Sequence, residues 1–280
     1  MSLQDRKAEI EAELAALPPE EDQHAQAAVF FGGRPVVGSL GIESEFGGRA
    51  VGMIQDLVAK QFVQDSATGL AQRGPLPNKA ATRLHVTDVL RGSFGFLLEE
   101  LRPQDQLFDS SLKSALDQVT ELLSAFAEAD EQKFETAIEN VDERILSQAR
   151  EFFSYLSQEG ATLRLVAGET DRPFDNDAVA RAAKRATTTT ILDKDEDIVG
   201  QLAGVLPEAH MFEFRCEGLR GVIRGKIDRA LSAFDAAQLA TQWANKTATG
   251  RFAIRQVLKE GELVRETFTL KSIREDDQRV

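Results

Sequence analysis

The chain holds one cysteine, three histidines, one tryptophan and one tyrosine. A single thiol, Cys216, excludes an internal disulfide and every C-x-x-C arrangement, so a cytoplasmic protein is expected. His24, His85 and His210 lie far apart in the sequence, and no H-E-x-x-H occurs, which removes the common zinc patterns. No run of 18 apolar residues is present, so no transmembrane helix and no membrane partner is expected. The first 17 residues are too charged for a signal peptide. Positive charge is also scarce: 33 Lys plus Arg stand against 46 Asp plus Glu, a net charge of −13.

Nucleotide and catalytic signatures are missing as well. Gly32, Gly33, Gly38, Gly41, Gly47 and Gly48 form a glycine-rich stretch, but it has neither the lysine of G-x-x-x-x-G-K-[ST] nor the spacing G-x-G-x-x-G. There is no G-x-S-x-G elbow. Asp193, Asp195 and Asp197 begin like a calcium loop, yet Ile198 stands where that loop needs glycine and Gly204 where it needs glutamate. They are expected to form a solvated acidic link. Glu131-Gln132-Lys133 imitates a nuclease E-x-K, but it falls on the turn of a helical hairpin. No catalytic, cofactor-binding or metal-binding residue is therefore assigned, and the sequence leans away from an enzyme.

What is present is pattern. Side chains alternate across a strand and recur every 3.6 residues on a helix. Leu3, Ile10, Leu14 and Leu17 give a short amphipathic helix over residues 1–19, ended by Pro18-Pro19. It either packs on its own domain or pairs with a second copy to make a homo-oligomer. Residues 27–192 read as an α+β domain. Ala27 to Phe31 is a buried strand. Phe46, Ala50, Met53, Ile54, Leu57, Val58 and Phe62 mark a helix over 43–64. Residues 83–101 form a hairpin with Phe94, Phe96 and Leu98 on one face. A helical hairpin over 109–158 is inserted before a strand at 162–166, with Asp109 and Asp130 as N-caps. Residues 168–177 read as a polar loop, 178–186 as a helix and 187–192 as a strand. His85 is read as a surface residue.

Residues 197–273 are strand-rich, and 274–280 form a tail. His210, Phe212, Phe214 and Cys216 share one face of a strand. Ile223, Gly225 and Ile227, then Phe252, Ile254 and Leu258, then Phe268 and Leu270, share the inward faces of others. Cys216 is read as core rather than nucleophile. A helix over 231–245 presents Leu231, Phe234, Leu239 and Trp243 to cap this sheet. Three strands, a helix and two strands is the chain order of small OB- or SH3-like barrels. Gly200-x-x-x-Gly204, Phe212-x-Phe214, Val222-Ile223-x-Gly225, the helix and Phe268-x-Leu270-x-x-Ile273 together resemble a small β-barrel module at the C-terminus of uncharacterised bacterial proteins. The resemblance covers the last quarter of the chain. It implies a fold and no activity.

Charge is segregated. Residues 198–274 carry 12 Lys plus Arg against 8 Asp plus Glu. Arg215, Arg220, Arg224, Lys226, Arg251, Arg255, Arg265 and Lys271 fall on faces expected to point outward. The leading expectation is a non-enzymatic interaction or regulatory protein with a protein partner. The alternative is nucleic-acid binding through this basic face. Inward placement of Phe212, Phe214, Phe252 and Phe268 weighs against it, because single-strand binders stack bases on exposed aromatics.

Overall fold

A computed structural model describes residues 24–66, 69–71, 74–90, 94–101, 110–244 and 246–275. The stripe Leu3, Ile10, Leu14 and Leu17, the expected cap Asp109 and the tail residues 276–280 lie outside them. The fold is mixed α+β, in two compact units, Met1–Ala186 and Thr187–Val280.

The first unit is a five-stranded antiparallel sheet with helices on one face. Its strands are β1 (Gln26–Gly33), β4 (His85–Leu90), β5 (Phe94–Glu99), β6 (Ala161–Ala167) and β7 (Thr170–Phe174), in the order β4-β5-β1-β6-β7. β2 (Val36–Val37) and β3 (Gly41–Ile42) pair as a separate ribbon. Alternation decides which face is covered: Ala27, Val29 and Phe31 on β1, with Leu163 and Leu165 on β6, are buried, while Ala28 and Phe30 on the reverse are half-buried. The register sets Phe31 opposite Phe94, Val29 opposite Phe96 and Ala27 opposite Leu98, so the three expected residues do share the helix-facing side.

The helical layer comprises α1 (Ser44–Asp65), α2 (Ser111–Ala127), α3 (Glu131–Ile138), α4 (Glu143–Gln158) and α5 (Asn176–Thr188). Phe46 of α1 meets Phe31 edge-on at 5.4 Å and stacks on Tyr155 of α4 at the same distance. The expected helical hairpin is three helices rather than two. Ile138 and Val141 are both buried and keep the apolar rhythm going, but Asp142 starts a new helix by accepting from Arg144 N at 2.8 Å. Asp130 caps α3 as expected, and Ser110 caps α2. Gly160, at φ +59°, ends α4. The stretch expected as a polar loop contains the edge strand β7, which reads as loop because only Phe174 of its five residues is buried.

The second unit is a closed ring of five strands: β8 (Thr189–Leu206), β9 (Met211–Cys216), β10 (Val222–Ile227), β11 (Thr247–Lys259) and β12 (Glu262–Glu275), with α6 (Ala233–Trp243) between β10 and β11. Around the ring the order is β10-β12-β11-β8-β9. Every contact is antiparallel except the short β10–β12 pair. The β11–β12 hairpin turns through Glu260 and Gly261, both at positive φ (53° and 85°), as a two-residue type I′ turn requires. Phe212, Phe214, Phe252, Phe268, Ile223, Ile227, Ile254 and Leu270 meet in one buried cluster with Cys216 and Trp243.

Four expectations fail here. Near the end of β11 the buried residue is Val257 rather than Leu258, because the register with β12 shifts between them. The first strand starts at Thr189 and runs unbroken to Leu206, so the strand expected at 187–192, the expected acidic link and the start of the strand-rich region are one element. His210 does not join the Phe212 face, because at φ 48° it belongs to the turn before β9. Phe234 is 70% exposed. The capping box between Ser232 and Asp235 starts α6 at Ala233. That phase turns Ala236 and Trp243 inward and swings Phe234 about 200° from Ala236, at 100° per residue.

Candidate interaction face

Asp193, Asp195 and Asp197 share one face of β8, with Lys194 and Glu196 between them on the other. Across the ladder, Asp193 stands opposite Arg255 and Asp197 opposite Arg251. Arg255 grips Asp193 with two hydrogen bonds of 2.8 and 3.0 Å. Arg251 reaches both Asp195 at 3.3 Å and Asp197 at 3.5 Å. Lys271 bonds Asp195 at 2.8 Å, and Arg274 bonds Asp197 at 2.7 Å. Lys271 can reach because it is the extra residue of a bulge: Arg251 pairs with Ser272 and Phe252 with Leu270. A band of ion pairs therefore crosses β8, β11 and β12.

The hydrogen bond from Lys271, and then that from Arg251, holds the Asp195 carboxyl below its ordinary range. Glu196 lies on the other face of β8. It is held low first by Arg220, which donates at 2.7 Å, and then by Lys194. The same bond raises the Arg220 guanidinium, whose carbon lies 5.7 Å from the centre of the Phe268 ring. On β10, Arg224 bonds Glu213 at 2.8 Å.

The eight basic residues thus divide. Arg220, Arg224, Arg251, Arg255 and Lys271 are bound to carboxylates. Arg265 is exposed on β12 and has interactions of its own. Among the described residues no ion pair engages Arg215 or Lys226, both exposed. The charge excess vanishes too: once β8 is counted from its true start, residues 189–275 hold 13 Lys plus Arg and 13 Asp plus Glu.

No family model, curated protein or solved structure matches this chain.

Arg215 and Lys226 share the outer face of β9 and β10 with exposed aliphatics, which the sequence reading missed. Val222, 47% exposed, stands opposite Arg215, and Met211, 43% exposed, stands between Leu206 and Lys226 in the register. Leu219, in the β9–β10 turn, is wholly exposed. Their signal in the sequence was the polar-side alternation itself, Met211-Glu213-Arg215 and Val222-Arg224-Lys226, read for charge alone. The four phenylalanines expected to point inward are all buried. Cys216 is buried in the ring cluster, and that burial pushes its thiol pKa upward.

The first unit has a hollow of about 420 Å³ lined by Glu128, Arg172, Asp177 and Arg181, and a smaller one of about 290 Å³ beside Phe30, Thr162, Arg164 and Pro173. Arg164 is committed there to Asp171 by bonds of 2.8 and 2.6 Å. His85 is exposed on β4. Glu131 opens α3 and binds Arg185 at 2.7 Å, so the E-x-K imitation is part of a structural contact. Among the described residues no three His, Cys, Asp or Glu side chains converge as metal ligands would, and no helix is long and apolar enough to cross a membrane.

Proposed function

We propose that this chain is a non-enzymatic cytoplasmic interaction or regulatory protein whose ring unit docks a partner protein. The observation that carries the reading is the outer face of β9 and β10, where Val222 and Met211 lie exposed beside Arg215 and Lys226. Mixed aliphatic and basic surface is what a protein partner with acidic and apolar groups would cover. An OB-type barrel is supported over an SH3-type one by the pairing of first, second, third, fifth and fourth strands around the ring, with a helix between third and fourth.

The test is a screen of the full chain at high concentration for hydrolase, nuclease and nucleotide turnover. A blank result is expected. Reproducible turnover, abolished by changing one acidic or histidine residue, would overturn the reading.

Nucleic-acid binding is the second reading, favoured by Arg215 and Lys226, neither of which pairs with a carboxylate among the described residues. The ion pairs of Arg251, Arg255 and Lys271 and the burial of the ring phenylalanines weigh against it. It requires oligonucleotide binding that falls steeply with salt and weakens when Arg220, Arg224 and Lys226 become Glu. Binding indifferent to that triple change removes it.

A further inference from the structure

We infer that the seam between β10 and β12 is a strand-addition site for an extended, acidic segment of a partner protein, an inference that rests on the protein-docking reading above. The ring closes there through only two residue pairs, Lys226 with Thr269 and Ile227 with Leu270. Among the described residues, 222–225 of β10 pair with β9 alone, and 262–268 of β12 pair with β11 alone. The two strands pinch together at Gly225, where a Cβ would lie 2.0 Å from the Phe268 carbonyl oxygen. Past that point, towards Val222, no ladder joins them.

An open strand edge is a row of backbone donors and acceptors that an incoming strand can complete. Alternate side chains of the guest then meet the outer face, and these set its chemistry. Val222 is half exposed and offers an aliphatic contact; Leu263 and Val264, 54% and 41% exposed, offer others on the β12 lip. Arg215 stands beside Val222 in the register, and Lys226 lies four residues further along β10, roughly 13 Å at 3.3 Å per residue. Neither cation is engaged by a carboxylate among the described residues, whereas Arg224 between them is tied to Glu213. The guest that satisfies both is an extended peptide that pairs along residues 222–225, with one carboxylate towards Arg215, a second at its end towards Lys226, and β-branched or aliphatic residues between them. A nucleic-acid strand lacks the amide groups to continue the ladder.

The experiment selects phage-displayed random 12-residue peptides on the full chain. The enriched peptide is then synthesised, titrated and followed by amide hydrogen exchange. Enriched sequences are expected to alternate Asp or Glu with aliphatic residues, to slow exchange at residues 222–225, and to lose at least tenfold in affinity to the Arg215→Glu/Lys226→Glu double variant. Circular dichroism of that variant should match the parent, since both side chains are exposed. Alanine at both positions, which reverses no charge, should lose less. No enrichment, enriched peptides without acidic residues, or binding indifferent to the double variant would overturn the inference. So would tight binding of a 12-nucleotide single strand in place of any peptide. Peptide binding with protection elsewhere on the chain overturns the seam but leaves the docking reading standing; turnover in the enzymatic screen removes both.

Discussion

Arg185 shows how one side chain can hold a helix end. It is buried on α5, and its guanidinium donates to the carbonyls of Ala125, Phe126, Glu128 and Ala129 and to the Glu131 carboxylate, while stacking over Phe134 at 4.9 Å. The last carbonyls of a helix have no partner within it, so Arg185 meets those of α2 from outside. Arg185→Ala should lower stability by about 2–4 kcal/mol, since it strands several buried acceptors and a carboxylate. Urea unfolding measures this; Arg185→Lys should recover only part, because an ammonium lacks the planar fork. Glycines make the same point by contact distance. A Cβ on Gly225 would strike the Phe268 carbonyl at 2.0 Å, while one on Gly204 would meet nothing nearer than 4.0 Å. Gly225→Ala should therefore cost about 1–3 kcal/mol as an overpacked substitution, and Gly204→Ala close to nothing. The sequence marked Gly225 only as an inward-facing residue; it could not say which backbone would press against it.

At the scale of elements, the ion-pair band predicts acid sensitivity. Asp195 and Glu196 have folded pKa values below their ordinary ones, so the unfolded chain takes up protons first as pH falls. The stability these groups contribute is present above the ordinary carboxylate range, about pH 4, and is lost as pH drops through their lowered folded values. Unfolding curves at pH 7 and pH 3 should show a fall that Asp195→Asn flattens. The pairs are largely exposed, and exposed pairs contribute about 0.2–1 kcal/mol each, so the flattening will be partial and will shrink in high salt. The same band explains what the sequence hid. Asp193, Asp195 and Asp197 looked like a linker because their partners Arg255, Arg251 and Lys271 lie more than fifty residues away along the chain. β7 was lost because an edge strand with one buried residue has no apolar alternation to read. By contrast α1, β1 and the β9 strand were legible, since each buries a continuous face whose period survives in the residues themselves. The exposed β9–β10 face was half legible: its residues were visible, but the cancelling of its neighbours' charges depends on pairing that only the register supplies.

For the molecule as a whole, two units with separate cores imply two cooperative unfolding events. Calorimetry of the full chain should resolve them, and Gly225→Ala should lower one midpoint while leaving the other in place. A single transition shifted as a block would show that the cores melt together. The ring carries its own reporter. Cys216 is the chain's sole thiol, it sits among the ring phenylalanines, and burial disfavours its reactive thiolate. A chromogenic thiol reagent can reach that sulfur only while the strands part, so the labelling rate in native buffer times the breathing of the second unit, with no label on the first. Arg185→Ala should leave that clock untouched, and Gly225→Ala should quicken it.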